Sequence, residues 1–135
     1  MKTVAKLKPV WRYLAWLQFL CLISLITFLS LNPDPGDIFV SIWDKALHVF
    51  GWFVIGGSLS AAWGYRRYYL GALCGLWCYS VLIEVLQQLT GRQMSGYDMV
   101  ANAIGCSLAC GLFFILKPFW PKWLMLLLTT DSSQK

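Results

Sequence analysis

Apolar residues occur along this chain in four long runs, each separated from the next by a short segment of polar residues, glycine or proline. The runs cover about residues 10–31, 45–63, 68–89 and 97–116. Each is close to the ~20 apolar residues that an α-helix needs to cross the hydrocarbon core of a bilayer. The pattern predicts an all-α polytopic membrane protein, a four-helix transmembrane bundle that forms a single domain over residues 1–135.

Helix-breaking residues mark the boundaries between the runs. Residues 32–36 contain two prolines and a glycine, and residues 90–96 contain two glycines. These residue types end helices or form turns. Lys117 and Pro118 close the fourth run, and the segment that follows, about residues 118–128, is shorter and rich in Trp. We expect this short C-terminal helix to lie in the membrane interface rather than to cross the bilayer.

The first run raises the question of a secretory signal peptide. The apolar part of such a peptide has only about 7–15 residues and ends at a cleavage site with small residues. The run here is longer, and the sequence Leu29-Ser30-Leu31 is a poor match to such a site. We therefore expect a retained first transmembrane helix.

Composition supports a membrane protein and argues against nucleic-acid binding. Hydrophobic residues make up 59% of the chain and charged residues 13%, whereas soluble domains have about 25% charged residues. Eight Trp, six Tyr and eight Phe are typical of aromatic belts at two membrane interfaces. The net charge of +5 is carried by residues beside helix ends, as expected at a cytoplasmic membrane surface. The bilayer is therefore the predicted partner.

The distribution of Lys and Arg predicts the orientation. With four spans, both termini lie on the same side of the membrane as the turn between the second and third helices. Nine of the eleven basic residues are on that side: Lys2, Lys6, Lys8, Arg12, Arg66, Arg67, Lys117, Lys122 and Lys135. Only Lys45 and Arg92 are on the other side. The positive-inside rule then places both termini in the cytoplasm.

Polar residues collect at the opposite, outer end of helices two, three and four. Within each helix they are three or four positions apart, so they share one helix face. Short loops join these helices, and we expect the faces to converge on one outward-opening pocket. The residues are Asp44, Lys45 and His48 on helix two, Glu84, Gln87 and Gln88 on helix three, Arg92 and Ser95 in the loop, and Asp98 and Asn102 on helix four.

Glu84 carries most of the argument for a site. It lies between an apolar triplet, Val81-Leu82-Ile83, and an apolar pair, Val85-Leu86. A carboxylate at the bilayer centre costs about 2.5–3.5 kcal/mol on insertion scales, and it normally faces the protein interior with a partner. We expect His48 or Arg92 to be that partner.

Structural explanations remain open for several of these residues. Lys45 and Arg92 suit ordinary flanking positions from which a long side chain reaches the interface. Ser95 or Asp98 suits the N-cap of the fourth helix, and Asn102 suits a hydrogen bond between helices. Small residues also predict close helix contacts beneath the polar end: Gly71 with Gly75 on helix three, and Ala101, Gly105 and Ala109 on helix four.

Five cysteines lie inside the apolar runs: Cys21, Cys74, Cys78, Cys106 and Cys110. Two pairs are spaced i,i+4, which would allow a soft-metal or redox site. Free Cys also behaves as a small hydrophobic residue, and no His or carboxylate is predicted at the same depth. We interpret them as packing residues, and the odd number argues against a full disulfide framework.

The ordered motifs resemble the signature of the VanZ-like family. The matching elements are Asp44-Lys45-x-x-His48, Glu84-x-x-Gln87, Gly91-Arg92 and Asp98-x-x-x-Asn102-x-x-Gly105, which span roughly residues 42–111. Ala109 departs from the pattern, where a second glycine is expected. Members are small bacterial membrane proteins, and the founding member is associated with teicoplanin resistance. The resemblance implies a multi-pass protein of the bacterial inner membrane with a cell-envelope role, without implying that it confers resistance.

Three functions are compatible with the polar end. The first is an enzyme acting on a lipid-linked or amphiphilic envelope molecule, since His and carboxylates are the usual proton-transfer groups. The second is non-catalytic binding of a lipid headgroup, peptidoglycan precursor or glycopeptide. The third is a structural or assembly subunit of a membrane complex, or a minimal transporter. The candidate catalytic residues are His48, Glu84 and Asp98, and the candidate substrate-binding residues are Asp44, Lys45, Gln87, Arg92 and Asn102.

The sequence predicts no cofactor and no metal site. A single His with scattered carboxylates falls short of the ligand spacings of known zinc sites. A site that uses Asp44, His48, Glu84 and Asp98 as ligands is the alternative.

Overall fold

The computed structural model describes residues 2–32, 42–64, 68–91 and 94–128, except for the side chains of residues 2–8, 42–44 and 126–127. The described chain is helical throughout apart from short connections. Four of its helices are long and apolar enough to cross a membrane. The prediction of an all-α bundle with four transmembrane helices is therefore confirmed.

The helices agree closely with the apolar runs. They are α1 Lys2–Leu31, α2 Ile42–Trp63, α3 Tyr69–Gln87, α4 Gly96–Leu116 and α5 Lys122–Leu128, with 3₁₀ turns at Gln88–Thr90 and Lys117–Phe119. The largest difference is the start of α1, which precedes residue 10 and includes Pro9. Hydropathy marks where the chain becomes apolar, whereas a helix can continue into the polar interface.

Left-handed glycines end two of the helices. Gly64 has φ of 65° and Gly91 has φ of 84°, a conformation that other residues adopt at a cost. The Gly64 N–H donates to Ser60 O at 2.9 Å and so closes the last turn of α2. Each glycine therefore marks the last described residue of its helical segment.

One end of the bundle, which we call the cluster end, is formed by the C-termini of α1 and α3 and the N-termini of α2 and α4. Two contacts show this arrangement directly. Gln87 near the end of α3 donates to Ser30 O near the end of α1 at 3.0 Å. His48 near the start of α2 lies 2.9 Å from Asn102 near the start of α4.

Helices α2 and α4 form the most extensive helix pair, and Gly105 lies where they approach most closely. A Cβ placed on Gly105 would overlap the Val49 carbonyl oxygen and lie 2.9 Å from Phe53 N. Ala101 and Ala109, four residues to either side, are both buried. The predicted small-residue contact on α4 is therefore confirmed.

The corresponding expectation for α3 is wrong. Gly71 and Gly75 are exposed, and a Cβ at either position would meet nothing within 4 Å. Four-residue spacing of glycines shows that a helix face is flat, but it does not show whether another helix covers it. Here that face of α3 is left open.

Large apolar side chains cover the outside of the bundle. Leu20, Phe28, Leu70, Ile104 and Leu108 are all exposed, with many others like them. The core between the helices is smaller and centres on buried residues that include Trp52, Ile55, Leu59, Leu76 and Ile83. A surface this apolar is expected for helices that face lipid chains.

The predicted interfacial segment forms the 3₁₀ turn and α5. This short helix folds back against α1 and the end of α2. Leu128 is buried, and its backbone carbonyl oxygen occupies the place where a Cβ on Gly64 would lie. The location of α5 in a membrane interface stays a prediction.

Gly105→Ala is expected to lower the free energy of unfolding by roughly 1–3 kcal/mol, a typical cost of overpacking. The added methyl would force α2 and α4 apart at the Val49 carbonyl. Gly75→Ala is the matched control, since it makes the same change in an open position. Thermal unfolding of both variants in detergent measures the difference, and equal stability of the two would contradict the close contact.

Candidate functional site

Four polar side chains meet inside the cluster end of the bundle. His48 comes from α2, Glu84 from α3, and Asp98 and Asn102 from the first turns of α4. Ligating atoms of His48, Glu84 and Asp98 all lie within 4.8 Å of one another. The predicted convergence of polar faces from three helices is therefore confirmed for these residues.

Asn102 joins His48 to Glu84 through its side-chain amide. Asn102 Nδ2 donates to Glu84 Oε1 at 3.4 Å, and Asn102 Oδ1 lies 2.9 Å from His48 Nδ1. Because the Asn102 carbonyl oxygen only accepts hydrogen bonds, His48 Nδ1 must carry a proton and donate it. In a neutral imidazole the lone pair is then on Nε2.

The second ring nitrogen of His48 faces Asp98. His48 Nε2 lies 4.0 Å from Asp98 Oδ2, while His48 Nδ1 lies 3.7 Å from Glu84 Oε1. Each ring nitrogen therefore has one carboxylate near it, and the two carboxylates are themselves close together. Asp98 is in the first turn of α4, where the positive end of the helix dipole stabilises negative charge.

The site is buried below a charged edge. Glu84 is 0% exposed and Asn102 1%, whereas the side chain of His48 is 12% exposed. The Lys45 side chain is 44% exposed, and its Nζ lies 3.9 Å from Asp98 Oδ1. Among the described residues, Lys45 is therefore the exposed charged group nearest to the buried carboxylates.

Two carboxylate oxygens of the cluster are buried without a hydrogen-bond partner among the described residues. They are Glu84 Oε2 and Asp98 Oδ1. An ionised oxygen in such a position is costly unless a positive or hydrogen-bonding group faces it. Lys45 Nζ faces Asp98 Oδ1 at 3.9 Å, so Glu84 Oε2 is the acceptor position that the described residues leave to a ligand.

The close packing of α2 against α4 creates the cluster. Gly105 is one turn from Asn102 along α4, and a Cβ there would lie 3.1 Å from Trp52 Cβ. Trp52, one turn from His48 along α2, is itself buried. Because the backbones approach so closely at Gly105, His48 and Asn102 are near enough to hydrogen-bond directly.

Three further residues that the sequence predicts for the site are Lys45, Asp44 and Arg92. Lys45 is at the edge of the cluster, as its distance from Asp98 shows. Asp44 begins α2, but its side chain lies outside the described residues, and so does the whole of Arg92. The predicted pairing of Glu84 with His48 is present at 3.7 Å, and the alternative pairing with Arg92 stays a prediction.

Gln87 joins two helices, and Ser95 precedes the first residue of α4. The buried Gln87 amide donates to Ser30 O and so fastens the end of α3 to the end of α1. Ser95 occupies the N-cap position of α4, but its side chain makes no capping hydrogen bond. The roles of Gln87 in substrate binding and of the other residues in catalysis stay predictions.

The contribution of α1 to this end of the bundle was not foreseen. Ser30 contacts Gln87 through its backbone carbonyl, which any residue type supplies, so the sequence carries no signal for it. Thr27 is a clearer case, since its hydroxyl lies 2.8 Å from the Tyr79 hydroxyl of α3. A polar residue in an otherwise apolar run is the only sequence signal for such a contact.

An apolar groove of about 420 Å³ lies between α3 and α4. Trp77 forms one wall, and Met99, Ala103 and Leu108 are among the residues of the other. The groove begins at Met99, the residue after Asp98, and continues away from the cluster end along α4. In a bilayer it faces the hydrocarbon chains of lipids.

Comparison with known proteins gives no match to a protein-family model, a curated protein or a solved structure.

Proposed function

We propose that this chain is a VanZ-like multi-pass protein of the bacterial cell envelope that performs acid–base chemistry on the polar headgroup of a lipid-linked or amphiphilic molecule. The observation that carries the proposal is a largely buried imidazole with a carboxylate near each of its ring nitrogens. His48 has Glu84 at 3.7 Å on one ring nitrogen and Asp98 at 4.0 Å on the other. Imidazole and carboxylates so arranged are the usual participants in general acid–base catalysis.

The hydrogen bonds of the cluster support a catalytic use of His48. Asn102 fixes the ring orientation through Nδ1 and leaves Nε2 directed at Asp98. A ring held in this way can take a proton on one side and be oriented by a carboxylate-linked group on the other, as in catalytic triads. Glu84 is the base coupled to the ring through Asn102, and Asp98 is the acid or base nearest the charged edge.

The surroundings of the cluster support an amphiphilic substrate. Lys45 at the edge offers a positive charge to a phosphate or carboxylate headgroup. The groove between α3 and α4 is lined by Met99, the residue after Asp98, and offers an apolar surface to an acyl or polyprenyl chain. A headgroup at the cluster with a chain in the groove would hold both ends of one molecule.

The charge distribution supports an outer-face location. Lys and Arg concentrate at the end of the bundle opposite to the cluster, and positively charged ends remain in the cytoplasm. The cluster end then faces outward, where envelope precursors and their carrier lipids are displayed. Together with the ordered VanZ-like motifs, this favours the bacterial inner membrane, with both termini in the cytoplasm.

Glu84→Gln and His48→Ala are each expected to lower turnover by at least about 10²-fold, which is typical for removal of an acid–base group. Each protein, in lipid nanodiscs, is incubated with undecaprenyl-linked precursors, phospholipids and a glycopeptide, and products are read by mass spectrometry. Asp131→Asn, which removes a carboxylate near the C-terminus, is the matched control. A product that both cluster variants still make at the wild-type rate would contradict the proposal.

Non-catalytic binding is the second candidate, and two carboxylate oxygens that accept no hydrogen bond from the described residues favour it. Glu84 Oε2 and Asp98 Oδ1 can accept hydrogen bonds from ligand amine, amide or hydroxyl groups, as in a peptidoglycan precursor or glycopeptide. The same nanodisc experiment separates the candidates. A ligand retained unchanged by the wild type and lost in both cluster variants would replace catalysis by binding. If nothing bound or changed, the third alternative, a structural or assembly subunit, would be favoured.

A further inference from the structure

We infer that His48, Glu84 and Asp98 form a binding site for one divalent transition-metal ion, of the Zn²⁺ or Mn²⁺ type. The sequence favours no metal site and gives one only as the alternative, so the case for the ion comes from the geometry. Three ligand atoms, one from each residue, lie within 4.8 Å of one another. They come from three different helices, so the fold and not a local sequence motif assembles them.

The spacing of these atoms is close to that of the ligands of one ion. Bonds from Zn²⁺ to His nitrogen or carboxylate oxygen are about 2.0–2.2 Å long, so two ligands of one ion are separated by at most about twice that length. His48 Nε2 and Asp98 Oδ2 are 4.0 Å apart, which is too long for a hydrogen bond between them. The three atoms lie within 4.8 Å of one another, slightly beyond that limit, so binding an ion would draw the side chains together.

Asn102 gives His48 the environment of a metal ligand. A metal-bound His nearly always donates its other ring N–H to a carboxylate, a carbonyl or water, which fixes the ring and its tautomer. His48 Nδ1 donates to Asn102 Oδ1 at 2.9 Å, and the amide of Asn102 is held in turn by Glu84 Oε1. This places the Nε2 lone pair on the Asp98 side of the ring.

The buried carboxylate oxygens support an ion independently of the distances between the ligand atoms. Glu84 is 0% exposed, yet its Oε2 meets no hydrogen-bond donor among the described residues, and neither does Asp98 Oδ1. Among the described residues, Lys45 Nζ lies 3.9 Å from Asp98 Oδ1, while Glu84 has the His48 ring at 3.7 Å. A divalent cation would add positive charge between the two carboxylates and a contact to Glu84 Oε2.

The donor set selects the kind of ion. Mg²⁺ and Ca²⁺ prefer oxygen ligands throughout, whereas imidazole suits first-row transition metals and zinc. Two carboxylates with one imidazole leave coordination positions for water or for an oxygen of a headgroup phosphate or carboxylate. The inference deepens the proposed function and rests on it for the substrate, because an ion-bound water would then be the acid–base group.

The binding test uses full-length protein in nanodiscs, purified without a polyhistidine tag. His48 is then the single imidazole of the chain. Titration with Mn²⁺ is followed by electron paramagnetic resonance, and nitrogen coupling from a bound imidazole is read by electron spin-echo modulation. We expect one bound ion per chain with an imidazole nitrogen coupling. Absence of bound Mn²⁺, or binding without nitrogen coupling, would overturn the inference.

Substitutions of the three ligands, and of Asn102 beside them, are expected to weaken metal binding by different amounts. His48→Gln is expected to abolish the nitrogen coupling, and Glu84→Gln and Asp98→Asn to weaken Zn²⁺ binding at least about 10²-fold. Asn102→Ala, which removes only the hydrogen bond to the ring, is expected to weaken it by about 10- to 100-fold. Asp131→Asn is the control. Binding that is unchanged in all three ligand variants, as thiolates would give, contradicts the site.

The two proposals fail separately. Metal binding is measured without substrate, so an ion bound by protein that turns nothing over would leave the site in place and contradict the proposed enzyme. Turnover that survives complete removal of metal by a chelator, with metal content checked by mass spectrometry, would contradict the ion and leave acid–base catalysis by the side chains. Folding of each variant is checked by its melting temperature and size-exclusion profile.

Discussion

Asn102→Asp is expected to lower the free energy of unfolding by about 3–5 kcal/mol, the range found when a buried charge loses its compensation. Asn102 is 1% exposed, and its Nδ2 donates to Glu84 Oε1 at 3.4 Å. The substitution replaces that donor by an acceptor of nearly the same size, and it places a third carboxylate beside Glu84 and Asp98. Reversible unfolding in mixed micelles gives the difference.

The control for this variant is Gln88→Glu. Gln88 lies at the end of α3 at the same end of the bundle and is exposed, so the same amide-to-carboxylate change there should alter the stability by less than about 0.5 kcal/mol. If divalent metal occupies the cluster, Zn²⁺ should restore part of the stability of Asn102→Asp, because the new carboxylate adds a possible ligand. Equal stability of the two variants would contradict the buried network.

The helices of this protein could be predicted from the apolar pattern because the bilayer imposes a length. An apolar run of about 20 residues has few alternatives to a spanning helix. The start of α4 at Gly96 and the end of α2 at Trp63 agree with the predicted bounds to one residue. The start of α1 does not, because a helix outside the hydrocarbon core needs no apolar sequence.

The centre of the candidate site was also predictable, because a carboxylate within an apolar run must be accommodated. Glu84 required an interior position and a partner, and the spacing of Asp98 and Asn102 put both on one face of α4. The structure places these residues with His48 as expected. The site is therefore a consequence of periodicity combined with the cost of burying charge.

The details that depend on helix packing were not predictable. The sequence could not distinguish Gly105, where α2 meets α4, from Gly75, where no helix lies near. It also could not show that Gln87 faces the end of α1, because side-chain spacing fixes a face but not the neighbour. The choice between open and covered faces is made by the packing of the whole bundle.

The last prediction concerns the stability of a protein without the cluster. Replacing the three linked residues together, His48→Leu, Glu84→Met and Asn102→Leu, is expected to give a bundle at least as stable as the wild type. Replacing buried ionic groups by apolar residues of similar size often leaves the free energy of unfolding unchanged or raises it by about 1–4 kcal/mol. Turnover, ligand capture and metal binding should all be lost.

The single variants should behave in the opposite way. Glu84→Met alone leaves the buried Asn102 Nδ2 without its acceptor, and His48→Leu alone leaves Asn102 Oδ1 without its donor, each at about 1–3 kcal/mol. The triple variant would therefore be more stable than either single variant, a clear departure from additivity. A triple variant that is the least stable of the set would mean that the network holds the helices together. The expected result would mean that the protein keeps a buried polar network at a cost in stability, which natural proteins do where the network serves a function.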